Sequence, residues 1–134
     1  MLKIEKLTCG YGHLNVVHKL DLLVEKGSIH ALIGANGAGK TTTLMTIAGH
    51  LRVQSGNILM GTDLINRVPT KKRVQKGIAL VPEGRRLFSD LTVRENLEVG
   101  GYSQPKKNTL QNLDQILILF IIHNILDCMN WKDG

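Results

Sequence analysis

Hydrophobic and polar positions change period several times along the chain, and each change marks an element. Leu2, Ile4 and Leu7 alternate with charged residues, the pattern of a half-buried strand. Cys9-Gly10-Tyr11-Gly12-His13 follows as a glycine-flanked turn carrying an aromatic. Leu20 to Glu25 resumes an extended pattern that Lys26-Gly27 turns, so two strands and a hairpin turn are predicted ahead of residue 28. The apolar run Ile29-His30-Ala31-Leu32-Ile33 reads as a buried strand. Lys40 to Gly49 switches to helical spacing, with Leu44, Ile47 and Ala48 on one face and Gly49 as the C-cap. Ser55 to Gly61 reads as turn, short strand, turn. A short basic helix from Thr70 to Gln75 starts after Pro69 and stops at Gly77. Ile78-Ala79-Leu80-Val81 reads as a second buried strand, and Thr92 with Glu95 has capping-box spacing for a later helix. From Thr109 onward Leu110, Leu113, Ile116, Leu117 and Phe120 keep helical spacing. The run Ile116 to Ile122 then becomes apolar all round, which a surface helix does not sustain.

Between the strand at 29–33 and the helix at 40–49 stands Gly34-Ala35-Asn36-Gly37-Ala38-Gly39-Lys40-Thr41. It fits G-x-x-x-x-G-K-[ST], the phosphate-binding loop, in the strand–loop–helix context that motif requires. Gly34, Gly37 and Gly39 can take positive φ, so successive backbone N–H groups can turn inward around a phosphate. The helix that follows, through Thr42, aims its N-terminal donors and dipole at the same anion. Lys40 supplies a point charge for the β- and γ-phosphates, and Thr41 a hydroxyl for Mg²⁺. Glu83, just past the end of the strand at 78–81, lies where α/β sheets place ligand sites and is a hard oxygen donor for Mg²⁺; the alternative is an exposed loop glutamate. Tyr11 is open to two readings, simple turn packing or an aromatic face stacked on a base.

Composition narrows the partners. The net charge is +6, with clusters at Lys71-Lys72-Arg73, Arg85-Arg86 and Lys106-Lys107, a balance that suits anions. With one Trp, two Tyr and two Phe in the whole chain, no cluster is interleaved with aromatics, so each reads as solvated surface and a nucleic-acid partner is not expected. Cys9 and Cys128 form no C-x-x-C pair, and neither reads as part of a metal site or disulfide. The N-terminus alternates charged and apolar residues, unlike a signal peptide, and the longest apolar run is too short to span a bilayer. The expectation is a soluble intracellular chain.

Tyr11-Gly12, then Leu20 to Gly27, then Gly34 to Thr42 resembles the start of an ABC-transporter ATP-binding subunit. Val-Pro-Glu-Gly-Arg-Arg-Leu-Phe at 81–88 resembles the subfamily that drives branched-chain amino acid uptake, and Leu91 to Leu97 the L-T-V-x-E-N-L helix start. The resemblance implies an α/β fold: a RecA-like P-loop NTPase core with a small antiparallel β subdomain. It implies ATP and Mg²⁺ as ligands, Tyr11 and Val17 around the adenine, and Gly34, Ala35, Asn36, Gly37, Ala38, Gly39, Lys40, Thr41 and Thr42 around the phosphates. Glu83 takes the position usually held by a glutamine that senses Mg²⁺ and the γ-phosphate. Membrane permease subunits and a second ATP-binding subunit, arranged head to tail, are the implied partners, and the cytoplasmic face of the membrane the implied location.

Motif by motif, the resemblance holds from residue 1 to about residue 103. The stretch 104–134 reads as a divergent tail, helical or disordered. No L-S-G-G-Q is found: Leu97 to Gln104 has a glycine pair with no serine before it and reads as a helix end. Ile125-Leu126-Asp127-Cys128 has cysteine where the family carries glutamate, and His123 matches a switch histidine only by composition. An incomplete ABC ATPase domain, truncated or frameshifted, is the expectation; a shortened adaptor is the alternative. Such a polypeptide should bind ATP without efficient hydrolysis and leave apolar surface around the loop strand uncovered. Another P-loop enzyme is disfavoured, since no N-K-x-D guanine motif is present.

Overall fold

The computed structural model describes residues 1–81, 83–84, 88–102, 112–113 and 115–116. The clusters at 85–86 and 106–107, His123, Cys128 and most of the expected tail helix lie outside these. The chain divides into two compact units, Met1–Val81 and Pro82–Gly134.

The first unit is built on a four-stranded antiparallel sheet in the order β2-β1-β3-β4, from β1 (Leu2–Tyr11), β2 (Leu14–Val24), β3 (Val53–Met60) and β4 (Asp63–Leu64). The hairpin is tighter than expected: β1 runs through Cys9 and Gly10, and the turn is only Gly12-His13 between paired Tyr11 and Leu14. Gly12 takes the positive φ of 56° that the first position of a primed two-residue turn demands.

Ile4, Leu7 and Cys9 all face the core, although Ile4 and Leu7 are separated by three positions rather than two. A bulge absorbs the extra residue. Lys6 adopts φ 45°, the register with both neighbouring strands shifts there, and the amide freed by the shift donates to Asp21 Oδ1 at 2.9 Å. Gly56 on β3 faces the bulge, where a Cβ would sit 2.3 Å from the Lys6 carbonyl oxygen. The core joins Ile4, Leu7, Cys9, Val17, Ile58 and Ile65 to Ile47 of helix α1 (Lys40–Ala48).

Helix α1 ends where expected, on Gly49 at φ 88°. Its buried face differs from the expected one. Leu44 is 45% exposed, while Thr42, Thr43 and Thr46 are buried with Ile47 and Ala48. Burying threonine is cheap here because two hydroxyls bond back one turn: Thr43 Oγ1 to Gly39 O at 2.9 Å and Thr46 Oγ1 to Thr42 O at 2.7 Å. Helix α2 (Thr70–Gln75) follows Pro69 as predicted, and the chain leaves it through Gly77 at φ 96°. One member of its basic cluster departs from the solvated reading: Arg73 is buried.

The two expected buried strands do not form. Residues 29–33 and 78–81 carry no strand pairing among the described residues, and Ile29, Ile33 and Val81 are 101%, 90% and 91% exposed. A strand buried on both faces needs neighbours on both edges, and the antiparallel sheet places none of its strands beside these segments. The expected uncovered apolar surface is therefore present.

In the second unit, helix α3 (Val93–Gly100) begins with the predicted capping box: Thr92 Oγ1 accepts from the Glu95 amide, and Glu95 Oε2 accepts from the Thr92 amide at 2.8 Å. Asn96 closes the preceding turn, accepting from the Phe88 amide and donating to the carbonyls of Phe88, Leu91 and Thr92. Asn112, Leu113, Gln115 and Ile116 are helical, with Leu113 buried. Among the described residues no helix is long and apolar enough to cross a membrane.

Candidate phosphate-binding site

The loop Gly34–Thr41 leads into α1 through two glycines with left-handed backbones, Gly37 at φ 85° and Gly39 at φ 88°. Gly34 does not share that conformation; its glycine is explained by close approach, since a Cβ would lie 3.3 Å from the Ala38 Cβ. Ala38 N–H closes the turn on Ala35 O at 3.2 Å. Gly34 to Ala38 are exposed, whereas Gly39 is buried at the mouth of the helix.

Gly39 is the N-cap of α1 and supplies no side-chain cap, and no acidic residue sits in the first turn. The leading N–H groups of a helix have no intrahelical partner, so this end presents unpaired donors and the positive pole of the helix dipole. Most helices cover such donors with Ser, Thr, Asp or Asn; this one carries no such cap, an arrangement suited to an anion. Lys40 Nζ reaches back across the loop, donating to Gly34 O at 2.7 Å and Ala35 O at 2.8 Å, and an ammonium retains a third donor. Thr41, in the first turn, is exposed. Thr42 is buried as a whole residue.

The hairpin supports the loop directly. A Cβ on Gly39 would stand 2.7 Å from Val17 Cγ2 and 3.4 Å from Val16 Cγ1, so β2 and the loop are in close contact through a missing side chain. Val17 is thus brought to the loop. Tyr11 stands at the hairpin end of the same strand pair, 51% exposed. Glu83 belongs to the second unit and is exposed.

Four residues that sequence reasoning passed over matter here. Val16 adds to the contact with Gly39, Thr43 ties the first turn to Gly39, and Asn66 and Arg73 hold the far end of α1. The run Thr41-Thr42-Thr43 offered a signal for Thr43, as buried threonines bond back along a helix; nothing local separated Arg73 from the lysines beside it.

Comparison with known proteins agrees with this geometry. The family model described as ABC transporter matches residues 17–129, past residue 103 where the motif-by-motif resemblance ends. The chain belongs to the ABC transporter family. The high-affinity branched-chain amino acid transport ATP-binding protein BraG of Pseudomonas aeruginosa is 43% identical over 120 residues, 90% of this chain and 52% of that protein. The probable branched-chain amino acid transport ATP-binding protein LivF of Archaeoglobus fulgidus is 36% identical over 120 residues, 90% of this chain and 51% of that one. A solved ATP-binding subunit of an ABC transporter superposes with a TM-score of 0.62 at 29% identity, covering 76% of this chain and 42% of the other. The chain spans about half the length of the curated relatives it matches. Its fold is accordingly part of an ABC ATPase domain: the antiparallel subdomain, the phosphate loop and the helix behind it.

Proposed function

We propose that the chain carries the N-terminal portion of the ATP-binding subunit of an ABC importer for branched-chain amino acids, which couples ATP binding and hydrolysis to transport. The observation that carries this reading is the uncapped N-terminus of α1 behind two left-handed glycines, with Lys40 folded across the loop. The loop amides and the α1 N-terminus bind the β- and γ-phosphates, and Lys40 adds a full positive charge. Tyr11 and Val17 hold the adenine. Thr41 in the first unit and Glu83 in the second are each proposed as an oxygen donor for Mg²⁺, which would neutralise phosphate charge when bound. The similarity to BraG and LivF supports the substrate class. Permease subunits and a second ATP-binding subunit are the proposed partners, with peripheral attachment at the cytoplasmic face of the membrane. Residues 1–103 form the ATP-binding portion and 104–134 a divergent tail.

A second reading is a nucleotide-binding adaptor without turnover, since the loop and the uncapped α1 N-terminus account for phosphate binding alone. Phosphoryl transfer rests on positioning and charge stabilisation, so ATP bound without release of phosphate would mark the adaptor. Titration of the purified protein with Mg-ATP, with released phosphate followed in parallel, tests both readings. Saturable binding, lost in Lys40→Ala, with phosphate at background is expected. Folded protein that ignores ATP overturns the binding reading, and brisk turnover overturns the adaptor.

A further inference from the structure

We propose that Arg73 is a positioning residue for the phosphate loop: its guanidinium, buried beneath the C-terminal end of α1, fixes the orientation of the helix whose other end carries Lys40 and Thr41. The inference rests on the reading of Gly34–Thr41 as an ATP-binding loop.

Arg73 is 1% exposed, and no carboxylate bonds it among the described residues. Burying an unpaired cation is costly unless its protons are met, and here backbone oxygens meet all of them. Nε donates to Val68 O at 2.8 Å; Nη1 to Thr46 O at 2.8 Å and Ile47 O at 2.7 Å; Nη2 to Ile65 O at 2.7 Å and Asn66 O at 3.1 Å. A guanidinium has five N–H donors in a planar fork, and each finds a carbonyl. A lysine has three donors on a point charge and cannot reproduce the set.

Two of those carbonyls, from Thr46 and Ile47, belong to the last turn of α1, at the negative end of its dipole; Thr46 O also accepts from the Gly49 amide at 3.1 Å. Beside them Thr70 Oγ1 donates to Gly49 O at 3.0 Å. Gly49 itself admits the guanidinium, since a Cβ there would stand 3.0 Å from Arg73 Nε. The tie continues into the sheet. The side chain of Asn66 accepts from the Ile58 amide and donates to Gly56 O, both at 2.8 Å, which joins the same knot to β3.

Helix α1 is therefore held against one sheet at both ends: Gly39 on Val16 and Val17 of β2, and the C-terminus through Arg73 and Asn66 on β3. Its nine residues make a rod roughly 14 Å long. A rod released at its C-terminal end turns about the Gly39 end, and the turn changes the direction in which the first-turn amides, Lys40 and Thr41 point.

The experiment compares wild type, Arg73→Lys, Thr70→Val and Arg73→Ala by Mg-ATP titration, thermal melting and amide hydrogen exchange along α1. Arg73→Lys should weaken ATP binding about tenfold and Thr70→Val about threefold, with faster exchange at the hydrogen-bonded amides of residues 43–48. In Arg73→Ala, methylguanidinium should restore affinity and slow that exchange, and methylammonium should do neither. Folded variants that bind ATP as wild type does overturn the proposal. So does methylguanidinium that restores the melting temperature but leaves affinity low. Should Arg73→Ala not fold, the other two variants decide. If wild type itself does not bind ATP, the nucleotide reading fails on its own; unchanged exchange at residues 43–48 in Arg73→Lys would then still count against the positioning role.

Discussion

Gly37 and Gly39 share nearly the same backbone angle yet stand in different surroundings, and the contrast yields a test. A Cβ on Gly37 meets nothing within 4 Å, so Gly37→Ala pays only for a left-handed backbone, about 1 kcal/mol. A Cβ on Gly39 adds a 2.7 Å clash with Val17, so Gly39→Ala should cost about 3 kcal/mol, strain and overpacking together. Urea denaturation of the two variants should show this order; equal losses would mean that the hairpin does not press on the loop. Glycines at both positions were legible from the loop motif. What Gly39 touches was not, because Val16 and Val17 lie more than twenty residues earlier in the chain.

The elements differ in how far their limits follow from local rules. Helix α3 is the clearest case, since Thr92 and Glu95 satisfy each other's amides with no help from the rest of the fold. Hydrogen bonds from the Thr92 hydroxyl and amide hold the Glu95 carboxyl below its ordinary range. A carboxyl depressed in the folded state lends stability above its ordinary titration range, and that stability drains away as pH falls through the depressed value. Amide exchange in α3 should thus accelerate under acid. Glu95→Gln, which keeps an acceptor for the Thr92 amide, should flatten the pH dependence, whereas Thr92→Ala, which also removes a donor to the carboxylate, should cost about 1 kcal/mol near neutral pH and less in acid. A profile in Glu95→Gln as steep as in wild type would assign the acid sensitivity to other groups. Helix α1 obeyed its rule less well: the apolar spacing pointed to Leu44, but three threonines take the buried face instead, two of them with hydroxyls that bond back one turn.

At the scale of the molecule, the antiparallel sheet and α1 share a core while the segments 29–33 and 78–81 stay unpaired. Ile29 and Ile33 contribute nothing to that core, so Ile29→Lys with Ile33→Lys should leave the denaturation midpoint within about 0.5 kcal/mol of wild type. The same pair should lower the binding of a hydrophobic dye, because contiguous exposed apolar residues attract such probes. A destabilised double variant would mean that these side chains are packed. The sequence by itself determined what depends on neighbours a few residues apart: the phosphate loop, the existence of a hairpin though not where its turn begins, the capping box, the ends of α1 and α2, and the membership in the ABC family. Only the tertiary structure decided which face of α1 is buried, that Arg73 is a five-fold tie rather than a surface charge, and that two apolar runs do not become strands. Those outcomes depend on groups far apart in the chain, and strand pairing or carbonyl convergence leaves no mark in local spacing.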